Sequence, residues 1–330
     1  MKAWVIESLN GLGGLKLADV PEPRAAAGEV LVDLSLAALN PADRYLAEGA
    51  YPGRPALPHI LGRDGLGRVS AVGEGVTVWH PGEEVLLLRS DIGVTRWGTF
   101  AQKVTVPQTH ITRRPAGWTA EESAAAPLVY LTAWQALTQW DGDSVPMPKR
   151  GTVLISGATG GVGVASVQLG KALGHRVIGL SRSAEKGDKL KPLGADLVLD
   201  INDRTWSKKL RAAIAPAKVD LAIDNIGGEL LPEMIDCLAM NGRVSCVGRL
   251  GGPVPNFNPS TLFFRRLRLG GVAVATFNDL EMQAAWSRIV GILDQAKARP
   301  VIDHVFDFAS LPAAFDRLKA GPMGKVVLRI

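Results

Sequence analysis

Short apolar runs dominate the first 118 residues: KAWVIES, LKLADV, EVLVDLSLAAL, GRVSAVG and EEVLLL, separated by Gly and Pro. Their β-branched residues and turn boundaries predict strands, and many short strands in succession predict a barrel or sandwich. One helix interrupts them. Asn40 can cap it, Pro41 suits its first position and Gly49 closes it, which predicts a helix over 41–48. From about residue 120 good helix formers take over in AEESAAAPLVYLTAWQALTQW, where Pro127 ends or kinks one segment.

From residue 151 the period switches back and forth. TVLISG, RVIGLS, DLVLD, VDLAIDNIG and GRVSCVG read as strands, and VGVASVQLGKAL, WSKKLRAAI and LPEMIDCLA as the helices between them. Such alternation predicts a parallel sheet with helices on both faces. LRLGGVAVATF supplies a further strand, and DLEMQAAWSRIVGILDQAKA a helix that Pro300 stops. From Val301 a strand, the helix LPAAFDRLKAG and the strand KVVLRI complete the chain, and the pattern alone does not assign that tail to either half.

Length and composition narrow the class. The 330 residues suit two domains, and 47% hydrophobic with 21% charged residues is an ordinary folded composition. Every apolar window of spanning length is broken by a charge, Gly or Pro, so no transmembrane helix is expected. Glu7 within MKAWVIESLN argues against a secretion signal. Cys237 and Cys246 are too few for a disulfide framework or a four-cysteine zinc site, which together points to a reducing, cytoplasmic setting. The net charge of +5 arises from 37 basic and 32 acidic residues that are interspersed, so it predicts neither a nucleic-acid nor a membrane partner.

The motif with most weight is Gly157-Ala158-Thr159-Gly160-Gly161-Val162-Gly163, which ends a predicted strand and opens a predicted helix. That context fits a dinucleotide fingerprint, with Ala158 in the first glycine slot. Gly160 lets the backbone approach a pyrophosphate, Gly163 lets the helix pack on the sheet, and the helix N-terminus offers free N–H groups. The second strand ends in Ser181 and Arg182, where an NAD site places an acidic residue. Arg182 offers a planar fork to a 2′-phosphate and Lys186 a further charge, which favours NADP(H). In the other reading Arg182 and Lys186 are solvated and Glu185 serves the ribose. Loops at the carboxyl ends of the later strands nominate Asn225, Gly227, Val247, Gly248 and Arg249 as further cofactor contacts, although each also suits a plain turn.

Taken together, these residues resemble the medium-chain dehydrogenase/reductase superfamily, in its zinc-free quinone oxidoreductase or zeta-crystallin-like branch. The resemblance spans the chain. It rests on Leu39-Asn40-Pro41-Ala42-Asp43, Gly49-Ala50-Tyr51-Pro52, Gly62-Arg63-Asp64 with Gly67-Arg68-Val69, the 160–171 helix start, Asp224 with Gly227-Gly228, Gly242-Arg243-Val244 and Gly324-Lys325-Val326-Val327. It implies an α/β fold: a GroES-like, mostly β catalytic domain over 1–120, to which 301–330 returns, and a Rossmann doubly wound parallel sheet over 121–300. It also implies a homodimer formed through LRLGGVAVA, and Lys325 is taken with the cofactor contacts. Thr159, Asp200 and a long 141–151 loop depart from relatives.

Zinc-dependent members of the superfamily carry Cys where Asn40 stands and Gly-His-Glu where Gly62-Arg63-Asp64 stands, so no metal is expected. Hydride transfer to a simple ketone needs a Lewis acid or a placed proton donor. None of Tyr45, Tyr51 and Tyr130 has a Lys four residues on. A quinone or α,β-unsaturated carbonyl spreads the charge, and is the expected substrate class. By resemblance, Asn40 bonds near the nicotinamide or substrate carbonyl, Thr132 faces the nicotinamide, and Tyr45 and Tyr51 line the substrate cleft. Asn40 can equally serve as a helix cap, and the tyrosines as packing. An enoyl-CoA or enoyl-carrier thioester reductase is the alternative, with Arg54 and Arg96 as candidate phosphate contacts. A nucleotide-binding protein that binds RNA through Lys208-Lys209-x-Arg211 and Arg265-Arg266-x-Arg268 is the alternative of another class.

Overall fold

The computed structural model describes residues 1–88, 91–254 and 257–330. The chain divides into two units: unit 1 holds Met1–Leu128, Ala275–Trp286 and Arg299–Ile330, and unit 2 holds Val129–Val274 and Ser287–Ala298. Residues 121–128 and 275–286 thus go with the N-terminal strands. No helix among the described residues is long and apolar enough to cross a membrane.

Unit 1 begins with β1 (Lys2–Ile6), β2 (Lys16–Asp19), β3 (Glu29–Ala38), α1 (Pro41–Ala47), β4 (His59–Ile60) and β5 (Asp64–Val72). It continues with β6 (Glu84–Leu87), β7 (Lys103–Pro107), β8 (Ile111–Arg113) and α2 (Ala120–Ala125). Thr119 starts α2 with a reciprocal cap, its hydroxyl accepting from the Glu122 N–H at 3.1 Å and its own N–H donating to the Glu122 carboxylate at 2.8 Å. The chain then breaks at Ala126 and resumes as α3 (Pro127–Thr138), as the proline requires.

Unit 2 follows with β9 (Thr152–Ile155), α4 (Gly161–Ala172), β10 (Arg176–Ser181), α5 (Ala184–Asp188), β11 (Leu197–Asp200), α6 (Trp206–Ile214) and β12 (Val219–Asp224). After these come α7 (Leu230–Asp236), β13 (Leu238–Cys246), α8 (Ser260–Arg265) and β14 (Arg268–Gly271). The six strands are parallel in the order β11-β10-β9-β12-β13-β14, so the first strand lies centrally and the order reverses beside it. β9 is buried throughout, as a strand covered on both faces must be. The strand expected from LRLGGVAVATF is short. Gly270 lies against the Trp140 ring, where a Cβ would come within 2.7 Å, and a 3-10 turn begins at Val274.

The chain ends with α9 (Asp279–Gln295), β15 (Ile302–Asp307), α10 (Leu311–Lys319) and β16 (Lys325–Arg329). β16 pairs antiparallel with β3, Val327 opposite Ala38, which settles the tail in unit 1. Phe315 of α10 meets Phe100 edge to face at 5.8 Å in the same core as Ile6, Leu39, Ile60 and Leu328. Truncating either ring to alanine costs about 3–5 kcal/mol. The consequence for chemistry is local. Pairing β16 with β3 delivers Lys325 to Asn40, just past the end of β3.

Candidate functional site

In unit 2 the nominated residues converge on the carboxyl ends of β9, β10, β12 and β13. Gly157 has a left-handed backbone, φ +57°, and a Cβ on it would come within 2.8 Å of Ile226. A Cβ on Gly163 would fall 2.2 Å from the Gly157 carbonyl oxygen, so α4 can lie this close to the sheet only with glycine there. Gly160 differs. Its φ of −76° suits any residue, and the nearest atom to an added Cβ is the Gly157 oxygen at 3.4 Å. Neither backbone nor packing demands glycine there, whereas a phosphate laid against the start of α4 would. Gly160 caps that helix without a side-chain hydrogen bond, which leaves its first N–H groups for an anion. Ala158 is buried and donates its N–H to the Leu180 carbonyl, while Thr159, Gly161 and Val162 are half-buried.

A hydrogen-bond network shapes the neighbouring loop. The buried Asp224 carboxylate accepts from the Ser156 hydroxyl at 2.7 Å and from the Gly227 N–H at 3.0 Å. Asn225 donates its side-chain amide to the Ser156 carbonyl at 2.8 Å, and its Oδ1 is buried with no partner. An orphaned acceptor of this kind is a cost that a ligand donor would remove. Gly248 packs so closely that a Cβ would stand 2.3 Å from the Asn225 oxygen, with Val247 and exposed Arg249 on either side. Ser156 escaped the sequence reading, and Asp224 entered it only through the resemblance, because the role of both is to hold Asn225 and Gly227.

Ser181, nominated with the cofactor contacts, ends β10. It is buried, and its hydroxyl closes a turn by donating to the Ser183 carbonyl at 2.8 Å and accepting from the Ser183 N–H at 3.1 Å. Arg182 is exposed beside it and Lys186 half-buried on α5. Glu185, the other candidate for the ribose, pairs with Lys189 at 2.7 Å, and that hydrogen bond holds its carboxyl below the ordinary range. Asp200 accepts from Asn202 at 2.8 Å, and Asn202 in turn donates to the Arg182 carbonyl. These residues fit NADP(H): a glycine cradle, an unpartnered acceptor and an exposed arginine at the end of the second strand. Thr132 lies half-buried on α3.

In unit 1, Asn40 stands at the start of α1, but its amide turns away from the helix. It donates to Asp64 at 2.9 Å and accepts from the Lys325 ammonium at 2.6 Å, while that ammonium also reaches Asp64 at 3.0 Å. The other Asp64 oxygen accepts from the Leu128 N–H at 3.1 Å. Asp43 caps back onto the Asn40 N–H at 2.8 Å, leaving its Oδ1 buried and unpartnered. Burial raises the Asp43 carboxyl to about 6, against the opposing pull of Arg63. Lys325, expected among the cofactor contacts, therefore completes this buried cluster of unit 1. The Tyr45 ring lies under the Arg44 guanidinium at 5.3 Å, and the Tyr51 ring under that of Arg63 at 4.6 Å.

This donor set does not fit zinc. Asn40 and Arg63 supply no thiolate or imidazole, and the Asp64 carboxylate is engaged by an ammonium and two N–H donors. His59, near Asp64 in sequence, is buried with its Nε2 unpartnered. Burial drives it down to about 4, a hydrogen bond with the Gly93 backbone pulling the other way. Among the described residues no group of three or more His, Cys, Asp or Glu side chains is placed to hold a metal.

Other nominated charges are already partnered. Arg96 is paired with Glu29 at 2.5 Å, and exposed Arg54 donates one N–H to the Gly49 carbonyl at 3.0 Å. In the basic runs, Lys209 pairs with Asp203, Arg265 donates to the Leu238 carbonyl and Arg268 pairs with Asp143. Asp143 also faces Arg243, a buried guanidinium that donates to the Val145 carbonyl. The long 141–151 loop is thus fastened to β13.

Comparison with known proteins supports the same reading. Residues 26–116 match the alcohol dehydrogenase GroES-like domain, and residues 161–291 the family described as zinc-binding dehydrogenase. The chain is 27% identical to acryloyl-coenzyme A reductase of Sulfurisphaera tokodaii, covering 100% of both chains. It is 26% identical to quinone oxidoreductase of Rattus norvegicus over 99% of this chain and 97% of that one. Among solved structures, an NAD-dependent alcohol dehydrogenase matches with TM-score 0.91 and 30% identity over 100% of both chains. A mycobacterial protein complexed with NADPH matches with TM-score 0.89 and 28% identity, again over 100% of both chains. The chain belongs to the medium-chain dehydrogenase/reductase superfamily, in its quinone oxidoreductase branch. It is an oxidoreductase of that superfamily, with the parallel Rossmann-like sheet and GroES-like domain of its structural neighbours.

Proposed function

We propose that this oxidoreductase uses NADP(H) to reduce quinones or α,β-unsaturated carbonyl compounds without zinc. One observation carries the cofactor half: Gly160 is glycine where neither backbone nor packing requires it. A bound nicotinamide supplies the hydride. The start of α4 would hold the pyrophosphate by its N–H groups, Arg182 would hold the 2′-phosphate, and Asn225 Oδ1 would accept from the nucleotide. On the acceptor side, a donor set unsuited to zinc argues for a substrate that delocalises the charge it gains.

An enoyl thioester as substrate is the second reading, favoured by the likeness to acryloyl-coenzyme A reductase. The ion pair of Arg96 with Glu29 weighs against it. As an oligomer we expect a homodimer, since β14 ends its sheet with Leu269 exposed and Phe263 and Phe264 lie exposed just before it.

The test follows NADPH absorbance with 1,4-naphthoquinone, a short enal, an enoyl-CoA and a simple ketone, with NADH and a chelator as controls. Turnover of quinone or enal that prefers NADPH and survives chelation supports the proposal. Turnover of the ketone alone, lost with chelator, overturns it.

A further inference from the structure

Conjugate reduction leaves negative charge on the acceptor oxygen, and the proposed function needs a group to meet it. Lys325 is not free to do so, since its ammonium is buried against Asn40 and Asp64. Arg44 pairs with Glu48 at 3.2 Å, Arg54 with the Gly49 carbonyl and Arg96 with Glu29. Arg63 stands apart. It is half-buried, and no hydrogen bond or ion pair joins it to any described residue; its contact is the face of the Tyr51 ring. Arg63 is the strongest charge acting on Asp43, yet no hydrogen bond or ion pair links the two and Asp43 Oδ1 stays unpartnered, so the N–H edges of the guanidinium are not taken up by that carboxylate. A guanidinium partly withdrawn from water with no acceptor on its N–H edges is costly unless a ligand completes it. A guanidinium seated on a ring face keeps its N–H edges available to an oxygen in its own plane.

Resting on the reductase reading, we infer that Arg63 is a catalytic residue that binds the acceptor oxygen as it becomes anionic. With an enone, hydride from reduced nicotinamide bonds to the β-carbon. The C=C pair shifts to join the α-carbon to the carbonyl carbon, and the carbonyl pair moves onto oxygen to give an enolate beside Arg63. Solvent would then protonate the α-carbon, the two electrons gained by the acceptor matching those a bound reduced nicotinamide would supply with the hydride. Tyr51 serves as the platform that fixes the plane of the fork.

The experiment compares wild type, Arg63→Met and Arg63→Lys on a series of aryl vinyl ketones whose ring substituents vary enolate basicity at constant shape. NADPH affinity is measured by fluorescence and folding by thermal melting. Arg63→Met is expected to lower kcat roughly 100-fold or more, most for the most basic enolates, with NADPH affinity unchanged. Arg63→Lys, which restores the charge without the fork, should recover part of the loss. A uniform loss across the series, or a change in KM alone, would mean that Arg63 only props Tyr51 and would overturn the inference. So would an Arg63→Met enzyme as fast as wild type. Wild-type inactivity on the whole acceptor panel would instead end the reductase reading, and this inference with it.

Discussion

The Lys325 ammonium lies 3.0 Å from the Asp64 carboxylate, with both side chains almost wholly removed from water. Such a pair is weak evidence for stability in itself, because desolvating two ions offsets their attraction, but breaking it strands a charge. Lys325→Met should therefore destabilise unit 1 by about 3–5 kcal/mol. The double variant Asp64→Asn with Lys325→Met should recover most of that. Urea titrations of the three proteins check the pattern, and a double variant no more stable than Lys325→Met would refute it.

Gly160 and Gly163 separate binding from folding. Alanine at 163 would press on the Gly157 carbonyl and the Ala158 backbone, so it should lower the melting temperature markedly. Alanine at 160 meets no such obstacle, and should melt like wild type while losing most NADPH affinity. Equal melting losses in both variants would show that Gly160 is structural after all.

Arg182→Ala removes one charge-assisted contact, worth ~1.5–3 kcal/mol. NADPH affinity should fall roughly 10- to 150-fold while NADH affinity stays nearly constant. Isothermal titration with both nucleotides decides it, because parallel losses would remove the 2′-phosphate from Arg182.

Two buried groups oppose each other in acid. His59, held to about 4 against an ordinary 6.5, contributes stability present above 6.5 and lost as pH falls towards 4. Asp43, raised from 3.8 to about 6, contributes stability present below 3.8 and lost as pH rises through 6. Each is worth about 3 kcal/mol over its window, and the windows overlap, so the two slopes largely cancel. Relative to wild type, His59→Asn should gain stability as pH falls from 7 to 4, and Asp43→Asn should gain it as pH rises over the same range. Denaturant midpoints at several pH values test both signs.

What the sequence made legible was local. Asn40-Pro41 and Gly49 announced α1, Pro127 marked the break between α2 and α3, and the glycines after β9 marked the turn into α4, because each depends on neighbours a few residues away. Partnerships across the fold were not legible. Lys325 looked like a nucleotide contact until β16 was seen to pair with β3, and Arg96 looked like a free cation until β3 brought Glu29 to it. Arg63 drew notice only as a missing histidine, since being unpartnered is a property of the whole surroundings. The sequence also nominates the loop over 89–98 for substrate choice, and residues 89 and 90 of it lie outside the described residues.

The bond between Lys325 and Asp64 joins positions 261 residues apart. On the ribosome, the first strands emerge long before the lysine that their aspartate needs, so this centre stays incomplete until β16 has been made. An N-terminal fragment ending at Leu128 would carry every residue of the cluster except its cation, and one β3 edge without its closing strand. Unit 1 thus acquires its final electrostatic form only after 261 further residues have been joined to Asp64 and β16 has paired with β3.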